Sequence, residues 1–438
     1  MTGNAAPDWH DDVAATLACL ARQGADKRPA VIDGTTTLTF AELYTAARHA
    51  AARTAAVNGI APLQSHSDAG FVVRAAAAWL AGFAPLPLPP VAYGVASRLA
   101  AGAADRPAGC QPWKVVATAA SGTYRALVTH GEPPSRPRKA LALGMRPSGI
   151  ALIASPLHLN GPLEFTLRHL LLGGTVILAR RFTPATWVAL ALAHKPTWAF
   201  LVPTQIRRLL AAIPTAVLEK ATAGLEVLMH SSQPCPPALR PRLGCLLGNE
   251  RIAEYYGAAE YDGTFRYSSD PIPGAAPIPG AELRVVDSTR HPVPAGTYGL
   301  IEGRSTAGLI SHPAGLPCPD TDAWATVGDH GRESRHGRLT VTSVAVPGRA
   351  IVGGINVALG HVSSVLLAHP GISRCRVEAV PDPDYGQVVA VQATAIDPRL
   401  TLSQLSAYCA ARLPAAARPR HLRLTYAHPR SADVPARV

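Results

Sequence analysis

Residues 149–179 read GIALIASPLHLNGPLEFTLRHLLLGGTVILA, and their pattern decides the architecture. GIALIAS (149–155) is a short unbroken apolar run between a glycine and Ser155-Pro156, as expected of a strand buried on both faces. Residues 162–174 then carry apolar positions at helical spacing and stop at Gly173, a residue type that closes helices. TVILA (175–179) is a second buried strand. A strand–helix–strand unit of this kind lays two parallel strands side by side beneath a helix.

Downstream the alternation continues. It predicts a helix over 184–194, the strand-like WAFLVP (198–203), a helix over 204–212 and the strand LEVLMH (225–230). Upstream, LTFAELYTAARHAAARTAAVN (38–58) predicts a helix capped by Thr39, with Glu42 three residues on completing a capping box. Residues 71–88 predict a second apolar helix ending at prolines, and 101–113 read as loop.

After residue 270 the period changes to two. AELRVVD, YGLIEGR and LTVTSVAV, with Gly and Pro turns between them, predict an antiparallel β section. The last 90 or so residues predict a small α+β unit, built from GHVSSVLLAHPGI, RCRVEAVPD, QVVAVQATA and a helix near 402–413. A boundary at 346–349 then divides a large domain (1–346) from a small one (349–438).

The chain has 438 residues, 48% of them hydrophobic, ample for more than one core. It contains no long charge-free apolar run, and its opening lacks the basic-then-apolar layout of a secretory signal, so a cytoplasmic protein without a membrane span is expected. Seven scattered cysteines without a C-x-x-C pair read as mostly buried small hydrophobes rather than a disulfide or zinc framework. The net charge of +12 comes from dispersed arginines rather than a basic block, which argues against nucleic acid and for an anionic small molecule.

Five short stretches can carry chemistry, and each also has a plainer reading. Ser121-Gly122-Thr123 follows an apolar strand and can aim hydroxyls and N–H groups at phosphate, or be an ordinary turn. Glu260, closing Tyr255-Tyr256-Gly257-Ala258-Ala259-Glu260, can hold Mg²⁺ or sit on a surface turn. Asp329, after Val327-Gly328, can accept from ribose hydroxyls or stabilise its own turn. Gly353-Gly354 permits close approach of a thin ligand, or makes a hairpin. His158 lies just past a buried strand, where open α/β sheets bind ligands, or is a rim histidine.

The order of these stretches is more informative than any one of them. Ser-Gly-Thr, Pro-Leu-His, His-Ser-Ser-Gln-Pro, Tyr-Gly-Ala-Ala-Glu, Gly-Asp and Gly-Gly-Ile-Asn together resemble the adenylate-forming family of acyl-CoA synthetases, nonribosomal adenylation domains and luciferases. The likeness runs from about residue 28 to the end and looks strongest toward fatty-acid and bile-acid CoA ligases. It implies an α/β fold: helix-covered, mainly parallel sheets with a β-barrel-like section, and a small mobile C-terminal lid. It implies ATP, Mg²⁺, a carboxylic acid, and a thiol acceptor on coenzyme A or the phosphopantetheine of an acyl carrier protein.

The resemblance also implies roles. Ser121, Gly122 and Thr123 would line the phosphate loop, with Thr123 and Glu260 toward the metal. Ser231, Ser232, Gln233 and Pro234 would frame adenine, and Tyr256, beside Gly257 and Ala259, would stack on it. Asp329 would bind ribose. His158 would sit between acyl pocket and thiol tunnel, and Gly353 and Gly354 would flank the pantetheine channel.

Several positions depart from the family pattern. The phosphate loop continues Tyr124-Arg125-Ala126-Leu127, without the usual lysine. Ala259 replaces a threonine, and His361 and Ser363 replace an acidic pair. The arginine that normally precedes the hinge falls near Ser343 or Val344, with Arg349 displaced from it. The closing Pro-Arg-Thr-x-x-Gly-Lys becomes Pro429 to Val438, with Pro435 at the lysine's place and Arg437 the nearby cation. No lysine follows Lys220. These losses imply three alternatives to ordinary ligation: use of a preformed acyl adenylate, activation of an unusual acid such as nitrite, or a non-catalytic pseudo-synthetase.

Overall fold

A computed structural model describes residues 9–23, 27–90, 94, 96–102, 113–120, 123–129, 138–232, 235–236, 238–305, 309–311, 324–343 and 348–426. They fall into two compact units. One runs to residue 346 without 119–123; the other comprises 119–123 and everything from 347 on.

In the first unit six strands run parallel, in the spatial order Ile252–Ala258, Val227–His230, Trp198–Leu201, Ile150–Ile153, Thr175–Leu178 and Pro29–Ile32. Antiparallel strands close both edges: Thr37–Thr39 on one side, Tyr261–Tyr267 and Ala276–Pro277 on the other. The central strands are apolar except at the end positions Thr175 and His230, because both faces are covered. Ala151, Ile153, Val176, Leu178, Trp198, Phe200, Val227 and Met229 face one core, which includes Val13, Leu43, Phe71 and Phe165 from helices. Leu152, Ile177, Ala199, Leu201 and Leu228 face the other, with Trp187, Ile206, Leu218 and Leu243. Adjacent residues therefore serve different helix layers, as the period of two requires.

The helices begin where the sequence caps them. Thr39 accepts from Glu42 N, and the Glu42 carboxylate accepts from Thr39 N at 2.8 Å. Helices Pro184–His194 and Pro203–Ala212 start on proline, whose missing N–H is unneeded there. The stretch 71–88 is not one helix. Helix Ala69–Leu80 ends before Gly82 (φ +77°), and Ala84–Leu88 is a strand parallel to Ile60–Gln64. Pro85 and Pro87 cannot continue a helix, and this pair lies in a two-stranded sheet of its own. Among the described cysteines only Cys235 and Cys409 are buried; Cys245 is exposed. No helix among the described residues is long and apolar enough to cross a membrane.

Two charged clusters are buried in this unit. Glu164, on helix Asn160–Leu171, meets Lys139 at 2.9 Å, Arg168 at 2.7 Å and Lys114. Lys114 also donates to Asn160 Oδ1 at 2.6 Å. Burial alone would raise the Glu164 pKa, but Arg168, Lys114 and Lys139 hold it well below the usual range. Asp33, at the end of strand Pro29–Ile32, accepts from Thr35 N, Thr36 N and Ala69 N at 2.8–3.0 Å. Burial opposes its ionisation, yet these N–H groups keep it ionised far below the usual carboxylate value.

Beyond the large sheet lies a four-stranded antiparallel sheet of Ala281–Val286, Tyr298–Ser305, His330–Glu333 and Leu339–Ser343. A three-stranded sheet joins Lys114–Ala120, Thr123–Thr129 and Leu309–Ser311. The second unit holds the hairpin Arg349–Val352/Ile355–Ala358, the long hairpin Ile372–Asp382/Gly386–Ala395, and His421–Tyr426 parallel to the latter. Helices Leu359–Leu367 and Leu402–Arg412 supply Val362, Leu366, Leu405 and Cys409 to its core.

Candidate active site

The carboxyl ends of the parallel strands share one edge, and the chain leaves that edge at three of the predicted site stretches and at Gln205. Strand Ile150–Ile153 leads into Ser155 and His158, Trp198–Leu201 into Gln205, Val227–His230 into Ser231-Ser232, and Ile252–Ala258 into Glu260. Side chains tie the exits together. Gln205 accepts from Val202 N at 3.0 Å, and its Nε2 donates to Ala154 O at 3.1 Å. One amide thus couples two neighbouring strand ends. Gln205 carries no motif signal of its own.

His158 is largely enclosed, and burial pushes its pKa down to about 4, leaving a neutral imidazole at physiological pH. His230 ends its strand 2% exposed, with its pKa lowered by burial to about 4 as well. Ser232 holds φ +76°, the left-handed region, which disfavours a side chain by about 1–2 kcal/mol. The turn after His230 is therefore set by its surroundings rather than by local preference.

Tyr256 and Asp329 lie 73 positions apart and meet: the tyrosine hydroxyl donates to Asp329 Oδ2 at 2.9 Å. Tyr256 OH also lies 2.9 Å from Tyr261 OH. Burial is the main reason both phenol pKa values sit far above their ordinary value. Asp329 is 5% exposed. Its segment is laid along strand Tyr298–Ser305 by Ile301 N to Asp329 O (2.8 Å), Thr326 Oγ1 to Ile301 O (2.7 Å) and paired bonds between Gly303 and Ala325. Trp324 anchors the same segment, with Arg284 4.1 Å and Arg304 4.9 Å from its ring centre. Arg284 is held in turn by fully buried Glu302 at 2.7 Å.

A bulge brings Tyr261 to this network. Tyr256 pairs with Thr264 but Ala258 with Tyr261, so strand Tyr261–Tyr267 holds one extra residue. One extra residue changes which face the following side chains take. Tyr261 thereby shares a face with Tyr256. Three glycines make room. A Cβ on Gly303 would lie 2.5 Å from the Tyr261 ring, one on Gly257 would lie 2.7 Å from the Tyr255 hydroxyl, and one on Gly263 would overlap the Tyr256 carbonyl.

Glu260 is half-buried in the turn after Ala259, just past the sheet edge. Its carboxylate is the hard oxygen ligand that Mg²⁺ prefers, and the Asp329 carboxylate matches the hydroxyl donors of a ribose. Thr123 opens strand Thr123–Thr129. Ser121, Gly122, Gln233, Pro234, Pro435 and Arg437 lie outside the described residues. Gly353 and Gly354 belong to the second unit. They form the two-residue turn between paired Val352 and Ile355, with φ +57° and +85°. Two positive φ values in succession are what a tight hairpin of this hand requires.

Polar residues just beyond the carboxyl edge of an open α/β sheet stand where folds of this class bind small molecules. Residues 125–307 match the AMP-binding enzyme family, and residues 361–433 match the AMP-binding enzyme C-terminal domain. A sulfoacetate–CoA ligase of Cupriavidus necator is 30% identical over 327 residues, covering 70% of this chain and 60% of that protein. A 2-succinylbenzoate–CoA ligase of Bacillus licheniformis is 26% identical over 303 residues, covering 67% and 61%. The chain thus spans about six tenths of the length of these curated relatives. A malonyl-CoA ligase solved with methylmalonyl-CoA and AMP superposes with TM-score 0.75 at 25% identity, over 92% of this chain and 97% of that one. This chain belongs to the adenylate-forming superfamily of AMP-binding enzymes.

Proposed function

We propose that the protein activates a carboxylic acid with ATP and passes the acyl group to the thiol of coenzyme A. The observation that carries this reading is the hydrogen bond between Tyr256 and Asp329, which joins two motif residues in one network at the sheet edge. The acid's carboxylate oxygen attacks the α-phosphorus, an acyl–O–P bond forms, and pyrophosphate leaves. A thiolate then attacks the acyl carbonyl, and AMP leaves with the former carboxylate oxygen. AMP is a far better leaving group than hydroxide, which is why the acid is activated first.

Asp329 would accept from the ribose hydroxyls, Tyr256 would offer its ring to adenine, and Ser231 and Ser232 would flank the base. Glu260 would hold Mg²⁺, which when bound offsets the charge of the departing pyrophosphate. Neutral His158 has no charge to repel or trap an acid entering beside it. Gly353 and Gly354 would give a pantetheine arm close passage, and an acyl carrier protein could present that arm in place of coenzyme A. The small domain, 349–438, would act as a mobile unit, and a specialised, natural-product pathway fits the departures from pattern.

Pro435, where the family carries a lysine, favours a second reading. Without a cation aimed at the developing charge, adenylation loses several kcal/mol of stabilisation. The chain would then run only the thiol half-reaction, from a preformed acyl adenylate, or act on an unusual acid such as nitrite. Pyrophosphate release over a panel of acids, nitrite included, tests the first reading. Thioester formation from synthetic acyl-AMP tests the second. Titration calorimetry detecting neither ATP nor acyl-AMP binding would sink both and leave a pseudo-synthetase.

A further inference from the structure

We propose that Tyr261 is a positioning residue for ribose recognition, acting on Asp329 through the hydroxyl of Tyr256. The inference rests on the reading of Asp329 as the ribose acceptor.

The chemistry fixes the direction of the chain. A carboxylate oxygen has no proton to give, so Tyr256 must donate to Asp329 Oδ2. A phenol has one proton, so the Tyr256 oxygen can then only accept, and the 2.9 Å contact must be donated by Tyr261. The order is Tyr261 to Tyr256 to Asp329. A hydroxyl that accepts a hydrogen bond becomes a stronger donor, so Tyr261 strengthens the bond that orients the carboxylate.

The packing is built around this chain. Tyr261 is 3% exposed and lies flat against Gly303, where any Cβ would strike its ring. Gly303 also exchanges two 2.8 Å backbone bonds with Ala325, four residues before Asp329. One glycine therefore seats the tyrosine and the strand segment that carries its distant target. The bulge between Tyr261 and Thr264 turns Tyr261 onto the Tyr256 face. The family motif ends at Glu260, so nothing in its spacing points to the next residue.

The test compares binding of ATP with that of 2′,3′-dideoxy-ATP, which lacks both ribose hydroxyls. Wild type should prefer ATP. In Tyr261→Phe that preference should fall by about fivefold, the worth of one hydrogen bond between neutral groups, while dideoxy-ATP binds as before. Tyr256→Phe keeps the ring and removes the hydroxyl, and should lose the same preference. The double variant should lose no more than Tyr256→Phe alone, because Tyr261 acts on Asp329 through the Tyr256 hydroxyl. Equal weakening of both nucleotides, an unchanged preference, or additive losses would overturn the inference. A wild type that binds ATP without preference for the ribose hydroxyls would instead overturn the assignment of Asp329.

Discussion

The imidazole of His169 lies 5.6 Å, centre to centre, from the indole of Trp198, and neither ring nitrogen has a hydrogen-bond partner among the described residues. It is fully buried beneath the amino ends of the strands, against Gly149 and Gly174. Burial lowers its pKa from 6.5 to about 4. Below pH 6.5 the unfolded chain therefore binds a proton that the folded chain refuses. The stabilisation is fully present above pH 6.5 and is lost as pH falls toward 4, by about 3 kcal/mol in all. His158 and His230 act in the same direction. Urea unfolding at pH 7.5 and pH 5 should show this loss, and His169→Phe should reduce the slope by about one proton. An unchanged slope would mean that the ring is charged in the native state.

Glu164→Gln should destabilise the large unit by about 3–5 kcal/mol, because it removes the carboxylate around which three buried cations are gathered. A denaturant midpoint within error of wild type would contradict this account.

Asp33→Ala should lower the melting temperature through the loss of about 2–3 kcal/mol, since the N–H groups of Thr35, Thr36 and Ala69 lose their acceptor. Arg180→Ala should lower it far less. That side chain is mostly exposed, and its 3.3 Å contact with Asp33 is screened by water.

Glu260→Gln should cut pyrophosphate release by roughly 100-fold or more if the carboxylate holds the metal. The variant's melting temperature should stay close to wild type, since the residue sits in a half-buried turn. Titrating Mg²⁺ should show a raised metal requirement; a normal one would remove Glu260 from the metal site.

Much of the fold is legible because burial on both faces leaves no polar residue inside a strand. Ile150–Ile153, Thr175–Leu178, Trp198–Leu201 and Val227–His230 are readable for that reason. Helix Trp9–Gln23 is not, because its weakly apolar face follows a polar opening. The 71–88 stretch misleads because apolar content persists while the backbone changes state at Gly82. Among the candidate site residues, motif order points to Tyr256, Glu260 and Asp329. Tyr261, Gln205 and Trp324 are not, because each acts through a contact that sequence spacing does not encode: a bulge, a link between strand ends, and an arginine stack.

The single surplus residue between Tyr261 and Thr264 makes this corner of the sheet sensitive to register as well as chemistry. In a regular ladder of the same length Asp262 would stand opposite Ala258, and Tyr261 would swing to the opposite layer. Homologues whose hairpin keeps this length without the kink would then need a separate way to steady the Asp329 carboxylate, however well the neighbouring motif is kept.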